Sequence, residues 1–146
     1  MAAKAARQKA DTDQISAAVK KTEMSADTEI RKEDDTEKEA SKIADKICGL
    51  RIFEDEAGKM NLAPDKVGAE MIIVSQFTLF ADCRSRRPGF SLAARPETAI
   101  PLYEQVVREC RERGFQVQTG VFAAEMMVDS QNDGPVTILL DTNELS

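Results

Sequence analysis

The sequence lacks histidine altogether. This absence excludes Ser-His-Asp and Cys-His nucleophilic systems, and it excludes metal sites built on histidine. The chemistry of an active site must therefore come from carboxylates, hydroxyls, thiols, lysine, backbone amides or a group on the substrate. We expect no metal ion and no other cofactor.

Long apolar runs are missing as well. No stretch approaches the roughly 18 residues that a membrane-spanning helix needs, and the N-terminus lacks the apolar region of a secretory signal. Cys48, Cys83 and Cys110 are far apart in the chain and odd in number, which favours reduced thiols over a disulfide framework. These features predict a soluble, cytoplasmic protein that has no membrane partner.

The charge balance is acidic, with a formal net charge of -6. General electrostatic binding to nucleic acid is therefore disfavoured, since such binding depends on clustered Lys and Arg. One local cluster, formed by Arg84, Arg86, Arg87 and Arg95, has no acidic residue within it. It suits phosphate binding, while a solvated loop is the alternative interpretation.

The chain of 146 residues is long enough for one compact domain. Residues 1–33 carry few apolar side chains, so we expect an atypical polar segment that is disordered or a marginal surface helix. The folded domain is expected to comprise residues 34–146.

Apolar residues at helical spacing predict helices at 34–49 and 96–113. Runs of β-branched and aromatic residues predict strands, the last two of them forming a hairpin. These strands are 50–53, 60–62, 69–80, 115–118, 124–129 and 136–141. The predicted class is α+β, with a mostly antiparallel sheet or partial barrel and helices packed on it.

Five segments in one order resemble the D-aminoacyl-tRNA deacylase family. They are Leu-Arg-Ile-Phe-Glu-Asp at 50–55, Ser-Gln-Phe-Thr-Leu at 75–79, Arg-Pro-Gly-Phe at 87–90, Thr-Gly-Val-Phe-Ala-Ala at 119–124 and Asn-Asp-Gly-Pro-Val-Thr at 132–137. The resemblance spans residues 34–141 and implies a deacylase-like fold and a homodimeric hydrolase. The implied reaction cleaves the ester bond of D-aminoacyl-tRNA, releases free tRNA and the D-amino acid, and serves chiral proofreading. Glycyl-tRNA mischarged on tRNA-Ala is a further candidate substrate.

The resemblance assigns the catalytic segment to Ser75, Gln76, Phe77 and Thr78, whose backbone N–H groups and small polar side chains surround the ester. Thr78 is a candidate nucleophile, but a threonine hydroxyl needs an adjacent base. We therefore favour oxyanion stabilisation by backbone amides near Phe77, with the 2'-OH of the tRNA positioning or activating water. A half-buried strand without catalytic function is the alternative.

The same resemblance assigns the chiral filter to Gly134 and Pro135, next to Asn132. In the family this dipeptide has a cis peptide bond and is inserted by the partner subunit, so that backbone carbonyls reject L-amino acids. An ordinary turn is the alternative interpretation.

Substrate binding is further assigned, by the resemblance, to an aromatic residue, a methionine and two arginines. Phe90 would hold the terminal adenosine beside Arg86 and Arg87, and Met126 would line the pocket. Core packing is the alternative for Phe90 and Met126. Because residues 1–33 lack the β pattern with which family members begin, the alternative function is a catalytically degenerate paralogue that binds tRNA or protein.

Overall fold

The described part of the chain contains two α-helices, five strands and two 3-10 helices. The computed structural model describes residues 24–28, as backbone, together with 35–131 and 136–145. The elements are β1 (Met24–Thr28), α1 (Glu37–Gly49), β2 (Phe53–Glu54), β3 (Met60–Leu62), β4 (Met71–Ser75), α2 (Pro96–Glu112) and β5 (Val117–Thr119). The 3-10 helices are Pro64–Lys66 and Phe77–Phe80.

The central sheet has the order β1-β4-β5, and both of its strand pairs are parallel. β1 pairs along the whole length of β4, whereas β5 pairs only with residues 71–73. Parallel neighbours need long crossover connections, and these connections contain α1 and α2. β2 and β3 form a separate antiparallel hairpin.

The hydrophobic core lies between this sheet and the two helices. Alternate residues of β4, Met71 and Ile73, point into it, as the two-residue period of a strand requires. Burial of these apolar side chains is the main favourable term that holds the helices on the sheet. The other members are Ala40, Ala44, Ile47, Leu102, Tyr103, Val106, Val107, Cys110 and Val117.

Capping interactions explain where α1 begins and where α2 ends. Thr36 accepts a hydrogen bond from the N–H of Lys38, and its own N–H donates to Glu39 at 2.9 Å, which forms a capping box. After α2, Gly114 has a φ of 94° and the N–H of Phe115 donates to the carbonyl of Cys110. This is a Schellman motif, which favours glycine because φ is positive. Both predicted helices are thus confirmed to within a few residues.

A polar cluster joins the two helices at Glu109. Its carboxylate accepts hydrogen bonds from Ser41 at 2.5 Å, Gln105 at 2.9 Å and Arg113 at 3.1 Å. Gln105 also donates to the carbonyl of Glu37 at 2.8 Å. Desolvation opposes the charged form of Glu109, but the hydrogen bonds outweigh it and lower the pKa of the carboxyl. The cluster therefore stabilises the contact between α1 and α2 while Glu109 is ionised.

The α+β class is confirmed, but the expected predominance of antiparallel pairing is wrong for the described strands, two of whose three pairs are parallel. They form no closed barrel. Residues 24–28 form a strand, although disorder or a marginal helix was expected there. The segment is a strand because its backbone pairs with β4. Its polar and weakly periodic sequence does not indicate this pairing. Residues 1–23 and 29–34 lie outside the described residues, and the division at residue 33 stays a prediction.

Several predicted strands are shorter or absent. The strand expected at 69–80 ends at Ser75, and the chain then turns into the 3-10 helix Phe77–Phe80. The strands expected at 50–53 and 115–118 occur slightly later, as β2 and β5. The prediction of a hairpin is wrong for the described residues, because neither 124–129 nor 136–141 is a strand. Most of their apolar side chains are exposed, so the apolar pattern there does not mark sheet packing within the described chain.

Candidate active site

The segment from Ser75 to Thr78 lies where β4 leaves the sheet. Ser75 is the last residue of β4, and its Cα partner in β1 is Thr28. Gln76 follows in an extended conformation, with φ -143° and ψ 100°, and is exposed. Phe77 and Thr78 then open a 3-10 helix and are exposed. Strand pairing thus fixes the beginning of the segment, and the 3-10 helix presents its end to solvent.

This turn can supply hydrogen-bond donors to a developing oxyanion. The first N–H groups of a helical turn have no partner within that turn. Phe77 and Thr78 occupy these positions, whereas the N–H of Ala81 donates to the carbonyl of Thr78 at 3.1 Å. Two such amides on a turn are the arrangement that stabilises negative charge on an acyl oxygen. Because the chain has no histidine, Thr78 has no imidazole base for nucleophilic attack.

The arginine loop, residues 82–89, lies directly after this turn and is closed by an antiparallel bridge. The N–H of Asp82 donates to the carbonyl of Gly89 at 2.7 Å, and the reverse bond is 3.0 Å. Arg84 donates to the Asp82 carboxylate through Nε at 2.9 Å, which lowers the pKa of that carboxyl. The ion pair partly neutralises Arg84. Arg86 and Arg87 are exposed.

The bridge also brings Phe90 onto Phe77. The two ring centroids are 5.1 Å apart and the ring planes are inclined by 78°, an edge-to-face arrangement. Phe77 is 57% exposed and Phe90 is 37% exposed, so neither is a core residue. The structure therefore joins the predicted catalytic segment and the predicted base platform into one exposed aromatic pair.

The side chain of Met126 packs against the backbone at Gly120 and Val121. Its Sδ accepts a hydrogen bond from the N–H of Val121 at 3.3 Å. A Cβ added at Gly120 would lie 2.6 Å from this Sδ and 3.9 Å from Cγ1 of Val74. Gly120 thus makes room for Met126 next to Val74, the residue before Ser75. Gly120 was not predicted as a site residue from the sequence, although its motif was part of the resemblance.

Asn132, Gly134 and Pro135 lie outside the described residues, so their assignment as chiral filter stays a prediction. Within 35–131 and 136–145 there is no group of three or more Cys, Asp or Glu side chains that could hold a metal ion. None of the described helices combines the length and apolar character needed to cross a membrane.

Comparison with known proteins places these features in a family. The family model described as D-Tyr-tRNA(Tyr) deacylase matches residues 8–141. A D-aminoacyl-tRNA deacylase of Clostridioides difficile (strain 630) is 56% identical over 112 residues, which are 76% of this chain and 75% of the relative. A D-aminoacyl-tRNA deacylase of Anaeromyxobacter dehalogenans (strain 2CP-C) is 58% identical over 113 residues, covering 77% of this chain and 76% of the relative.

Among solved structures, the chain is similar to one titled c-Myc DNA Unwinding Element Binding Protein. The TM-score is 0.73 and the identity 38%, and the alignment covers 80% of each chain. The match thus extends from sequence to fold. The chain belongs to the D-Tyr-tRNA(Tyr) deacylase family.

Proposed function

We propose that this chain hydrolyses the ester bond of D-aminoacyl-tRNA and so removes D-amino acids from tRNA during translation. The observation that carries the proposal is the family match over residues 8–141, together with relatives at more than half identity over three quarters of the chain. The products are free tRNA and the D-amino acid. Glycyl-tRNA mischarged on tRNA-Ala is a second proposed substrate.

The proposed mechanism uses backbone amides and water. Water attacks the ester carbonyl carbon, and the N–H groups of Phe77 and Thr78 bind the oxygen that gains negative charge. When the intermediate collapses, the ester oxygen leaves with a proton as the ribose hydroxyl of the tRNA. The neighbouring 2'-OH positions or activates the water, a role that suits a chain without histidine.

The end of the tRNA is proposed to bind beside this turn. The exposed Phe77–Phe90 pair offers an aromatic face on which the terminal adenine can stack. Arg86 and Arg87 are exposed on the neighbouring loop and supply positive charge for phosphates. Met126, held over Gly120, lines the aminoacyl side of the pocket.

Selectivity against L-amino acids is proposed to come from Gly134 and Pro135 of a second subunit. The described residues that precede and follow this dipeptide in the sequence, 121–131 and 136–139, support an interface, because large apolar side chains there are exposed. Exposed apolar patches are typical of surfaces that bind a protein partner. These side chains are Val121 at 61%, Met127 at 64%, Val128 at 45%, Val136 at 41%, Ile138 at 46% and Leu139 at 79% exposure. The proposed working unit is thus a homodimer in the cytoplasm.

The test compares D-Tyr-tRNA with L-Tyr-tRNA at enzyme excess, with and without a chelator. We expect rapid hydrolysis of the D-substrate, little of the L-substrate and no effect of the chelator. Equal hydrolysis of both substrates would contradict chiral selection. Activity that is lost with chelator and restored by one metal ion would overturn the metal-free mechanism. Analytical ultracentrifugation at several protein concentrations tests the dimer. If the protein is monomeric and fully active at every concentration, a dimer is not required for activity.

A binding module without turnover is the second candidate. The observation that favours it is the similarity to the solved structure described above, because the name of that protein describes DNA binding. This candidate predicts tRNA binding that weakens with salt and that depends on Arg86 and Arg87, without loss of the aminoacyl group from D-Tyr-tRNA. Hydrolysis of D-Tyr-tRNA excludes it.

A further inference from the structure

Two cysteines that are far apart in sequence face each other across the helix pair. Cys48 lies near the end of α1 and Cys110 near the end of α2, 62 positions later. Their Sγ atoms are 3.7 Å apart. Both thiols are free, and neither belongs to the proposed active site. Their separation along the chain gave no sign of this contact, and the sequence therefore predicted only reduced thiols.

The two thiols differ in access. Cys110 is fully buried in the core, whereas Cys48 is partly exposed at the rim of the helix pair. When Cys48 is ionised, the Cys110 thiol can donate a hydrogen bond to it, and this is the largest cause of the lowered pKa of Cys48. The Arg113 guanidinium adds to the shift, whereas burial and the Asp45 and Glu109 carboxylates oppose it. The same hydrogen bond and burial raise the pKa of Cys110. A partly exposed thiol with a lowered pKa is more reactive than a buried one.

We propose that Cys48 and Cys110 are an oxidant-sensitive pair, which forms an intramolecular disulfide on reaction with hydrogen peroxide. The Cys48 thiolate attacks one peroxide oxygen and the O–O bond breaks, which gives a sulfenic acid on Cys48 and a hydroxide that is protonated to water. The Cys110 sulfur then attacks the Cys48 sulfur and displaces the hydroxyl group, which leaves as water with the Cys110 proton. Overall, two thiols lose two electrons and two protons, and one peroxide becomes two waters.

The geometry favours this second step over further oxidation of Cys48. A disulfide has a sulfur–sulfur distance of about 2.0 Å, so the Sγ atoms need to approach by less than about 2 Å from their present contact. The resolving thiol is already in contact with Cys48, and its burial in the core shields it from direct attack by oxidant. A dithiol reductant reverses the bond by thiol–disulfide exchange.

Cys83 provides an internal comparison. It is exposed on the arginine loop, and the other two cysteines of the chain contact each other instead. It is therefore expected to gain oxygen or to form mixed disulfides with added thiols, and not to take part in an internal disulfide. Its replacement should leave the chemistry of the helix pair unchanged.

The experiment treats the reduced full-length protein with a small excess of hydrogen peroxide and follows intact mass and peptide maps without reduction. We expect a Cys83→Ser variant to lose the mass of two hydrogens, to yield a linked Cys48–Cys110 peptide, and to regain both thiols with dithiothreitol. In a Cys48→Ser, Cys83→Ser variant the linked peptide should be absent and Cys110 should stay reduced. Circular dichroism checks that this variant is folded.

Other outcomes overturn the proposal. One is a Cys83→Ser protein that gains oxygen atoms on Cys48 without forming the linked peptide, because Cys110 would then not be the resolving thiol. Another is a wild-type protein in which Cys83 is fully oxidised by hydrogen peroxide while Cys48 and Cys110 both stay reduced. A linked peptide that forms only after denaturation also counts against it, since the folded geometry would then have no part in the reaction.

Discussion

The hydroxyl of Tyr103 donates a hydrogen bond to the carbonyl oxygen of Ile73 at 2.8 Å. Tyr103 lies on α2 and is buried, and its ring also packs against Phe122 with centroids 6.3 Å apart. Ile73 lies in β4, two residues before Ser75. This bond ties the second helix to the strand that carries the candidate active site, and it does so inside the core, where an unsatisfied polar group is costly.

Replacement of Tyr103 by Phe should remove this bond and keep the ring. The free energy of unfolding is expected to fall by about 0.5–1.5 kcal/mol, the usual net value of one intramolecular hydrogen bond. Urea unfolding measures the change. Tyr103→Leu, which also removes the contact with Phe122, should cost more. If Tyr103→Phe is as stable as the wild type, the hydroxyl does not contribute to holding β4.

Alkaline pH should destabilise the protein through the same residue. Burial raises the pKa of Tyr103 above its ordinary value of 10.0, so the neutral phenol is favoured in the folded state. Its contribution to stability is fully present below pH 10 and is lost as the pH rises through the raised folded pKa. Because Tyr103 is the only tyrosine, the absorbance of tyrosinate reports on it alone. Tyrosinate that appears at the pH of a free tyrosine, before any unfolding, would contradict the prediction.

The helices could be predicted from sequence because their signals are local. The capping residues Thr36 and Glu39 are three positions apart, and Gly114 directly follows the last turn of α2. Short-range capping of this kind is visible in the letters themselves. The motif at 75–79 was also local, but the apolar run placed it inside a strand at 69–80, and the 3-10 helix Phe77–Phe80 was not predicted.

Features that depend on distant partners could not be predicted. β1 is a strand because residues 24–28 pair with β4, nearly fifty positions later, and its own composition does not indicate a strand. The contact between Cys48 and Cys110 depends on how the two helices cross. The contact between Phe77 and Phe90 depends on the Asp82–Gly89 bridge. The segments 124–129 and 136–141 show the opposite error, because an apolar pattern alone predicts a strand whether or not a neighbouring strand is available.

Acid should weaken the contact between the helices through Glu109. The pKa of its carboxyl is lowered by hydrogen bonds and by Arg113 in spite of desolvation, so its contribution to stability is present above the ordinary value of 4.5 and is lost as the pH falls through the folded pKa. Glu109→Gln should therefore lower the free energy of unfolding at pH 7 by about 1–2 kcal/mol, and the difference should shrink in acid. Glu104→Gln on an exposed position of α2 is the control. If the free energies of unfolding of the wild type and Glu109→Gln differ by the same amount from pH 7 to pH 3, the charge of Glu109 does not stabilise the contact.

The arginine loop should determine how tRNA binding depends on salt. Each phosphate contact that is lost should reduce the slope of log K against log salt by about 0.7–0.9. The double variant Arg86→Ala, Arg87→Ala is thus expected to bind tRNA more weakly, with a slope smaller by about 1.5. Arg84→Ala is the matched control, since Arg84 is already paired with Asp82 and its loss should change the slope less. Equal slopes in all three proteins would show that the loop does not contact phosphate.

The aromatic pair gives the sharpest test of the proposed tRNA site. In Phe77→Leu and Phe90→Leu the backbone N–H groups and the apolar bulk are kept, but the edge-to-face contact and the stacking surface are lost. Stacking of one base is worth about 1–3 kcal/mol, so each variant should lower kcat/KM for D-Tyr-tRNA by roughly 5-fold to 150-fold. The loss should fall mainly on KM, because the amides that stabilise the oxyanion are still present.

The double variant decides whether the two rings act as one surface. If one adenine stacks on the joined pair, loss of either ring removes most of the benefit, and the double variant should be little worse than the poorer single variant. Leu92→Ala, at a side chain that is 58% exposed on the same segment as Phe90, is the control and should keep wild-type kcat/KM. Strictly additive losses would mean that the rings act separately. A loss in kcat with unchanged KM in Phe77→Leu would instead mean that its side chain positions the oxyanion turn and takes no part in holding the tRNA.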